Sequence, residues 1–288
     1  MNSEFQYLLD KINNAKIVKY PFEHIYIENF FNKKYLDIIL KNKDIHFDEC
    51  ENLNELLEKL NKNYKIVSNP GCVTNIYNYI KQINNYVGNT NKTINSSGIA
   101  FQYNERDENI KNIMEFIRNK NFKESLLNVF NIKNIDYDSN SPGRLTKQLS
   151  GYQISPHPDV KETLVSILIN INKDDSINKY DVHTKLHILK DEFKYIYDYW
   201  NNHPEINRNW LPWEYTTPVF NNNKNNTLIA WSPNSHTLHS IKCFYNHLKF
   251  QRTVIYSDII NKNVNCYLPP TEDFLKNLKK YKEEMKKE

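Results

Sequence analysis

Residues 151–171 read Gly151-Tyr-Gln-Ile-Ser-Pro-His157-Pro-Asp159-Val-Lys-Glu-Thr-Leu164-Val-Ser-Ile-Leu-Ile-Asn-Ile171. Two features meet in this stretch. The run Leu164 to Ile171 is apolar and rich in β-branched residues, the texture of a strand. Just before it stands H-x-D. On an extended backbone residues i and i+2 share a face, so the side chains of His157 and Asp159 point the same way, as two ligands of one metal must. The motif is short and has lookalikes. His46-Phe-Asp48 runs into Glu49, Glu51 and a helical leucine pattern, and His203-Pro-Glu205 sits in an aromatic loop. Only His157-Pro-Asp159 is followed directly by a strong strand.

Working outward, Thr227-Leu-Ile-Ala-Trp231 and Thr253-Val-Ile-Tyr256 repeat the strand texture, and the chain after Pro142 reads as a β-rich core. The first third reads mainly helical, with apolar periodicity over Tyr35 to Leu40, Leu53 to Leu60 and Ile76 to Val87. A single helix is expected from Glu108 to Phe130. His24-Ile-Tyr-Ile alternates like a short strand. The tail opens after Pro269-Pro270 with Thr271 as the expected N-cap, and places Phe274, Leu275, Leu278 and Tyr281 on one helical face.

Composition narrows the function. Of 288 residues, 39% are hydrophobic and 25% charged, with a net charge of +4. No apolar run is long enough to span a bilayer. Met1 to Asn14 shows no basic segment leading into an apolar stretch, so a cytoplasmic location is expected. The five glycines form no phosphate-cradling motif, and the lysines are dispersed, so neither dinucleotide nor nucleic acid is implied. Cys50, Cys72, Cys243 and Cys266 are too scattered for a zinc site or a disulfide framework. Asparagine is abundant, at 45 residues, and only five of the 38 basic residues are Arg: Arg106, Arg118, Arg144, Arg208 and Arg252. Each Arg is therefore worth tracking.

A third ligand must come from far along the chain. The segment Leu238-His239-Ser-Ile alternates as a strand should and places His239 80 residues beyond Asp159, whereas His236 falls nearer the turn. Closing such a loop costs roughly 4 kcal/mol, so only a fold that sets these strands side by side would gather the three. Arg252 heads an apolar strand thirteen residues after His239. A guanidinium presents a planar two-donor fork that suits a carboxylate, which an ammonium cannot reproduce.

Gly151-Tyr-Gln-Ile-Ser-Pro-His-Pro-Asp, a strand, Leu238-His239-Ser-Ile and Gln251-Arg252-Thr, taken in this order, resemble the 2-oxoglutarate and Fe(II)-dependent oxygenase superfamily, in which two His and one carboxylate leave three metal positions open. Pro21 to Asn32 resembles the entry segment of many members. The His-Pro-Asp signature of J-domain cochaperones lies instead between two helices, and the strand that follows here argues against it. The resemblance implies an α+β fold with a double-stranded β-helix, or jelly roll. It implies one oxygenase domain over 1–288, with a mainly helical support over 1–94, the jelly-roll core over 95–262 and a carboxy-terminal helix over 263–288. By the same resemblance, His157, Asp159 and His239 hold Fe(II), and Arg252 holds the distal carboxylate of 2-oxoglutarate, with ascorbate as an optional reductant. Many members carry Ser or Thr two positions after this Arg, where Val254 stands here. Tyr152 is the candidate for the missing hydrogen bond. Asp159, being neither Gly nor Ala, disfavours the halogenating variant.

The implied reaction is hydroxylation of an unactivated C–H bond in a small molecule or a protein side chain, with release of succinate and CO2. Two alternatives stay open: a cupin-type isomerase or hydrolase, which needs no carboxylate clamp, and a non-catalytic binding module. Trp200, Trp210 and Trp213 form an aromatic insertion between the ligand strands, expected either as a substrate lid or as ordinary packing. His183, His187 and His247 are expected to be structural or exposed, and Arg144 either reaches the site or pairs with an acid nearby.

Overall fold

The computed structural model describes residues 3–68, 72–84, 96–138 and 143–287. Helices are α1 (Gln6–Asn13), α2 (Lys33–Lys41), α3 (Leu53–Asn63), α4 (Ile76–Asn84), α5 (Glu108–Arg118), α6 (Lys120–Val129), α7 (Tyr195–Asn202) and α8 (Thr271–Met285). Strands are β1 (Ile17–Val18), β2 (His24–Ile27), β3 (Tyr64–Ile66), β4 (Ser96–Ser97), β5 (Ala100–Tyr103), β6 (Arg144–Gln148), β7 (Gln153–His157), β8 (Thr163–Asn170), β9 (Lys185–Leu189), β10 (Thr216–Asn221), β11 (Thr227–Trp231), β12 (His239–Lys242) and β13 (Arg252–Ile260). They form two antiparallel sheets. The larger runs β1-β2-β11-β8-β13-β6-β5-β3 and the smaller β10-β9-β12-β7-β4.

The apolar run of β8 is explained by its place between β11 and β13 at the middle of the larger sheet. Val165, Ile167, Ile169 and Ile171 face outward into a core shared with α1, α2, α3, α5 and α6. The alternate position Leu168 faces inward, where it meets Ile229, Trp231 and Val254 of its own sheet and Leu186 of the smaller one. Each fully buried aliphatic side chain of this kind contributes about 1.5–3 kcal/mol. The helices therefore cover one face of the larger sheet and the smaller sheet covers the other. Strand β13 alternates likewise: Ile255 and Ile259 join the outer core, while Arg252, Tyr256 and Asp258 face a cavity between the sheets.

Several elements differ from the sequence expectations. The single helix expected over Glu108 to Phe130 is two, because Asn119 adopts an extended backbone (φ −64°, ψ 147°) and its side chain accepts a hydrogen bond from the Asn121 amide. Asn competes for backbone hydrogen bonds and favours caps over helix interiors. The tail helix has Pro270 at the cap position and Thr271 inside its first turn. The helix from Ile76 is described to Asn84, and its expected end at Val87 lies outside the described residues. The larger sheet also takes β1, β2 and β3 from the first 94 residues; β2 pairs with β11 through Ile25 opposite Ala230. Among the described residues, no helix is long and apolar enough to cross a membrane. All four cysteines are free thiols.

Candidate functional site

Strand β7 ends on His157 and β12 begins on His239, and the register sets the two directly opposite each other. Their rings lie 4.2 Å apart between centroids. Each imidazole is oriented by its own strand: Nδ1 of His157 contacts the Ser155 carbonyl at 2.8 Å, and Nδ1 of His239 contacts the Thr237 carbonyl at 3.1 Å. A carbonyl only accepts, so each Nδ1 donates a proton to it and each Nε2 is the ring nitrogen turned toward the carboxylate. Both Nε2 atoms lie 3.5 Å from Asp159 Oδ1. The other carboxylate oxygen, Oδ2, accepts a 2.6 Å hydrogen bond from Ser166 Oγ on β8.

The convergence of His157 and Asp159 has a different cause from the one the motif suggested. The strand stops at His157, and Asp159 has φ +44°, in the left-handed region. The H-x-D pair is thus one strand end and one turn residue. Asp tolerates this region better than most side chains, and such conformations recur where the surroundings dictate them. Here Ser166 supplies the restraint.

His157, Asp159 and His239 together place one ligand atom each within 4.8 Å of one another. Burial pushes the Asp159 carboxyl up, yet His239, His157 and the Ser166 hydroxyl outweigh it and hold the group below the usual carboxylate range. Burial pushes His239 down to about 4, so its imidazole is neutral at neutral pH. Two imidazoles oriented in this way, together with a carboxylate, are a donor set suited to a divalent transition metal. His236 stands outside the group, with its ring 3.9 Å from that of Tyr197. His187 is buried and structural, bridging Ser240 Oγ at 2.7 Å and Thr216 Oγ1 at 3.0 Å.

The three residues line a cavity of about 660 Å³ between the sheets, and Arg252 lines it too. Arg252 is only 1% exposed. Its guanidinium donates to Gln148 Oε1 and, at 3.0 Å, to Thr184 Oγ1, while its Nε has no partner among the described residues. No carboxylate pairs with it among the described residues. Burial lowers its pKa, but arginine remains a cation. Val254, two positions on, is buried with Leu168 and Leu186, so it offers nothing polar here. Tyr152, 3% exposed, lines the same cavity.

Sequence reasoning missed four participants. Thr184 and Gln148 flank Arg252, Ser166 holds Asp159, and Trp231 presents its ring 4.7 Å from that of His239. All lie on or beside strands whose register the sequence does not state. Arg208 also lines the cavity, and its rarity as an Arg was the available signal.

The aromatic insertion divides. Trp210 lines the cavity, but Trp200 and Trp213 do not. Trp200 is stacked on Phe274 of α8 (6.0 Å, 1°) in a separate core cluster, and Trp213 lies under the Lys242 ammonium. These two thus lie apart from the cavity: docking of α8 buries Trp200, and Trp213 stands in the turn before β10.

No family model matches this sequence, and no curated protein matches it. Solved structures do. The chain is similar to a prolyl hydroxylase in complex with a hypoxia inducible factor oxygen degradation domain peptide fragment from Trichoplax adhaerens, with TM-score 0.45 and 9% identity over 91% of this chain and 94% of that one. It is similar to a Pseudomonas putida prolyl-4-hydroxylase with TM-score 0.44 and 6% identity, over 89% and 98% of the two chains. A third likeness is to HygX from Streptomyces hygroscopicus with nickel, 2-oxoglutarate and hygromycin B bound, with TM-score 0.39 and 8% identity over 92% and 89%. The structural neighbours of this chain include prolyl hydroxylases and HygX.

Proposed function

We propose that this chain is an Fe(II)- and 2-oxoglutarate-dependent oxygenase on a double-stranded β-helix, hydroxylating an unactivated C–H bond of a small molecule or a protein side chain. One observation carries the reading: the convergent His157, Asp159 and His239 share a cavity with Arg252, a buried cation that no carboxylate pairs with among the described residues. A cupin-type metal site has no need of that cation. The two sheets, the helical cover and α8 are read as one domain over 1–288.

In this reading His157, Asp159 and His239 hold the iron, and Arg252, flanked by Gln148 and Thr184, receives the distal carboxylate of 2-oxoglutarate. When bound, the iron and its cosubstrate supply the oxidation of the C–H bond by dioxygen, with release of succinate and CO2. The chain's own contribution is positional. The backbone carbonyls of Ser155 and Thr237 fix the imidazole tautomers, and Ser166 leaves one Asp159 oxygen for the metal. Register contributes as well: β13 places Tyr256 opposite Leu168, and β11 places Trp231 opposite Ser166, so large side chains wall the cavity and restrict water.

Anaerobic titration with Fe(II), then with 2-oxoglutarate, tests this. One iron per chain is expected, with sharply weaker binding in His239→Ala and parental binding in His236→Ala. Metal loss in the His236 variant alone, or the absence of any 2-oxoglutarate binding to the iron-loaded chain, sinks the reading.

A further inference from the structure

The cavity holds a second buried cation that the reaction outlined above does not use. Arg208 is 7% exposed, lines the cavity and donates no side-chain hydrogen bond among the described residues, with its Nε buried and unpartnered. Its backbone is stapled in place: Asn207 Oδ1 accepts from the amides of Lys161 and Arg208, and Asn207 Nδ2 donates to Glu162 Oε2 at 2.7 Å. The acids nearest to Arg208 are committed elsewhere. Glu162 accepts from Asn207 and from the Cys266 amide, and Asp159 is held by Ser166 and faces the imidazoles. A buried guanidinium with neither salt bridge nor hydrogen bond is costly unless an anion arrives to pair with it.

Its surroundings say what kind of anion. Arg144 lines the same cavity and sits opposite Tyr256 in the β6–β13 pair, whereas Gln148 sits opposite Arg252. Four residues of strand, roughly 13 Å, thus separate Arg144 from the Arg252 end. Asp258, opposite Ser166, also faces this end and lies near Arg144. It is one carboxylate facing two guanidinium groups, so it offsets them only in part. Beside them the rim is apolar and open: Trp210 lines the cavity, as do Val160 at 37% and Leu268 at 51% exposure.

We propose that Arg208, supported by Arg144, is the substrate-recognition subsite, and that the substrate carries an oxyanion, carboxylate or phosphate, on an apolar body that lies against Trp210 and Leu268. This deepens the proposed function and rests on it for the role of substrate. The anion subsite itself needs no metal, which keeps the two claims separable.

The test uses the full chain without metal or 2-oxoglutarate, titrated calorimetrically with phenyl phosphate, benzoate and, as the neutral control, benzyl alcohol. At least one anion should bind at least about tenfold more tightly than the alcohol; phenyl phosphate ahead of benzoate, or the reverse, tells which oxyanion is preferred. Arg208→Gln should weaken that binding at least about tenfold, Arg208→Lys should weaken it less, and Arg252→Gln should leave it in place. Circular dichroism melts of both Arg208 variants accompany the titrations, and the Lys variant decides if the Gln variant does not fold. In the iron-loaded chain, Arg208→Gln should keep the parental affinity for 2-oxoglutarate. Equal binding of the alcohol, no anion binding at millimolar concentration, or anion binding lost through Arg252 instead of Arg208 overturns the proposal. A fall in 2-oxoglutarate affinity of tenfold or more in Arg208→Gln overturns it as well, because Arg208 would then serve the cosubstrate. If no variant and no parent chain takes up iron or 2-oxoglutarate, the oxygenase reading fails while the metal-free titrations still decide on Arg208.

Discussion

Replacing Arg252 with Met should leave the ligand-free protein at least as stable and at the same time deafen it to 2-oxoglutarate. In the free chain the guanidinium is 1% exposed and has only neutral acceptors, Gln148 Oε1 and Thr184 Oγ1, with Nε unpartnered. Neutral acceptors return part of the desolvation cost, and a well-packed apolar side chain in place of buried charges is neutral or stabilising by about 1–4 kcal/mol. At roughly 2 °C per kcal/mol for a chain of this size, the ligand-free Tm of Arg252→Met should match the parent or exceed it by up to about 8 °C. The liganded state reverses the order. A carboxylate at Arg252 forms a charge-assisted fork, and removing one partner of such a buried pair costs about 3–5 kcal/mol, between a hundredfold and several thousandfold in Kd. At a 2-oxoglutarate concentration of about 100 times the parental Kd, the iron-loaded parent gains about 2.7 kcal/mol, or roughly 5 °C, and the Met variant should gain less than about 1 °C. Arg252→Lys should fall between them. Thermal melts with and without cosubstrate, and anaerobic calorimetry on the iron-loaded proteins, measure both halves. Iron affinity should not change, since Arg252 touches none of the three proposed ligands. A Met variant that binds 2-oxoglutarate like the parent, or one that melts well below it without ligand, refutes the account of Arg252 as a cation awaiting a carboxylate.

Two further outcomes follow from burial. Trp200→Ala should lower stability by about 3–5 kcal/mol in urea, through loss of the stack on Phe274, with iron and 2-oxoglutarate affinities preserved; lost affinity without lost stability would return Trp200 to the site. Lys147 is fully buried, with Nζ 2.9 Å from Thr253 Oγ1, and burial, aided by Lys173, pushes it down to about 7 from 10.5. Between these values the unfolded chain binds the additional proton, so this residue's contribution makes stability rise as pH climbs from about 7 to 10. Lys147→Met should remove that rise and be more stable near pH 6.5, by an amount on the order of 5 kcal/mol; equal slopes of parent and variant between pH 6.5 and 9.5 in urea melts would contradict this.

What could be read from the sequence was whatever depends on neighbours in the chain. Apolar period and β-branching located β2, β8, β11 and β13 and most helices, because side-chain alternation and helical pitch are local properties. The split at Asn119 escaped, since one capping residue hardly disturbs an apolar period that runs on either side of it. At the site, His157, Asp159, His239 and Arg252 were singled out by residue type, order and the rarity of Arg. That His157 and His239 face each other is a matter of register between strands whose facing residues lie 82 positions apart, and that Asp159 reaches them through a left-handed turn and not an extended strand depends on Ser166 on β8. The same holds for the tryptophans: three equivalent rings in the sequence became one cavity wall, one ring packed on α8 and one ring under the Lys242 ammonium in the turn before β10. Arg208 and Thr184 carry no motif at all. They line the cavity because the loop that carries Arg208 and the residue just before β9 both face it, and tertiary packing alone decides which side chains are brought together there.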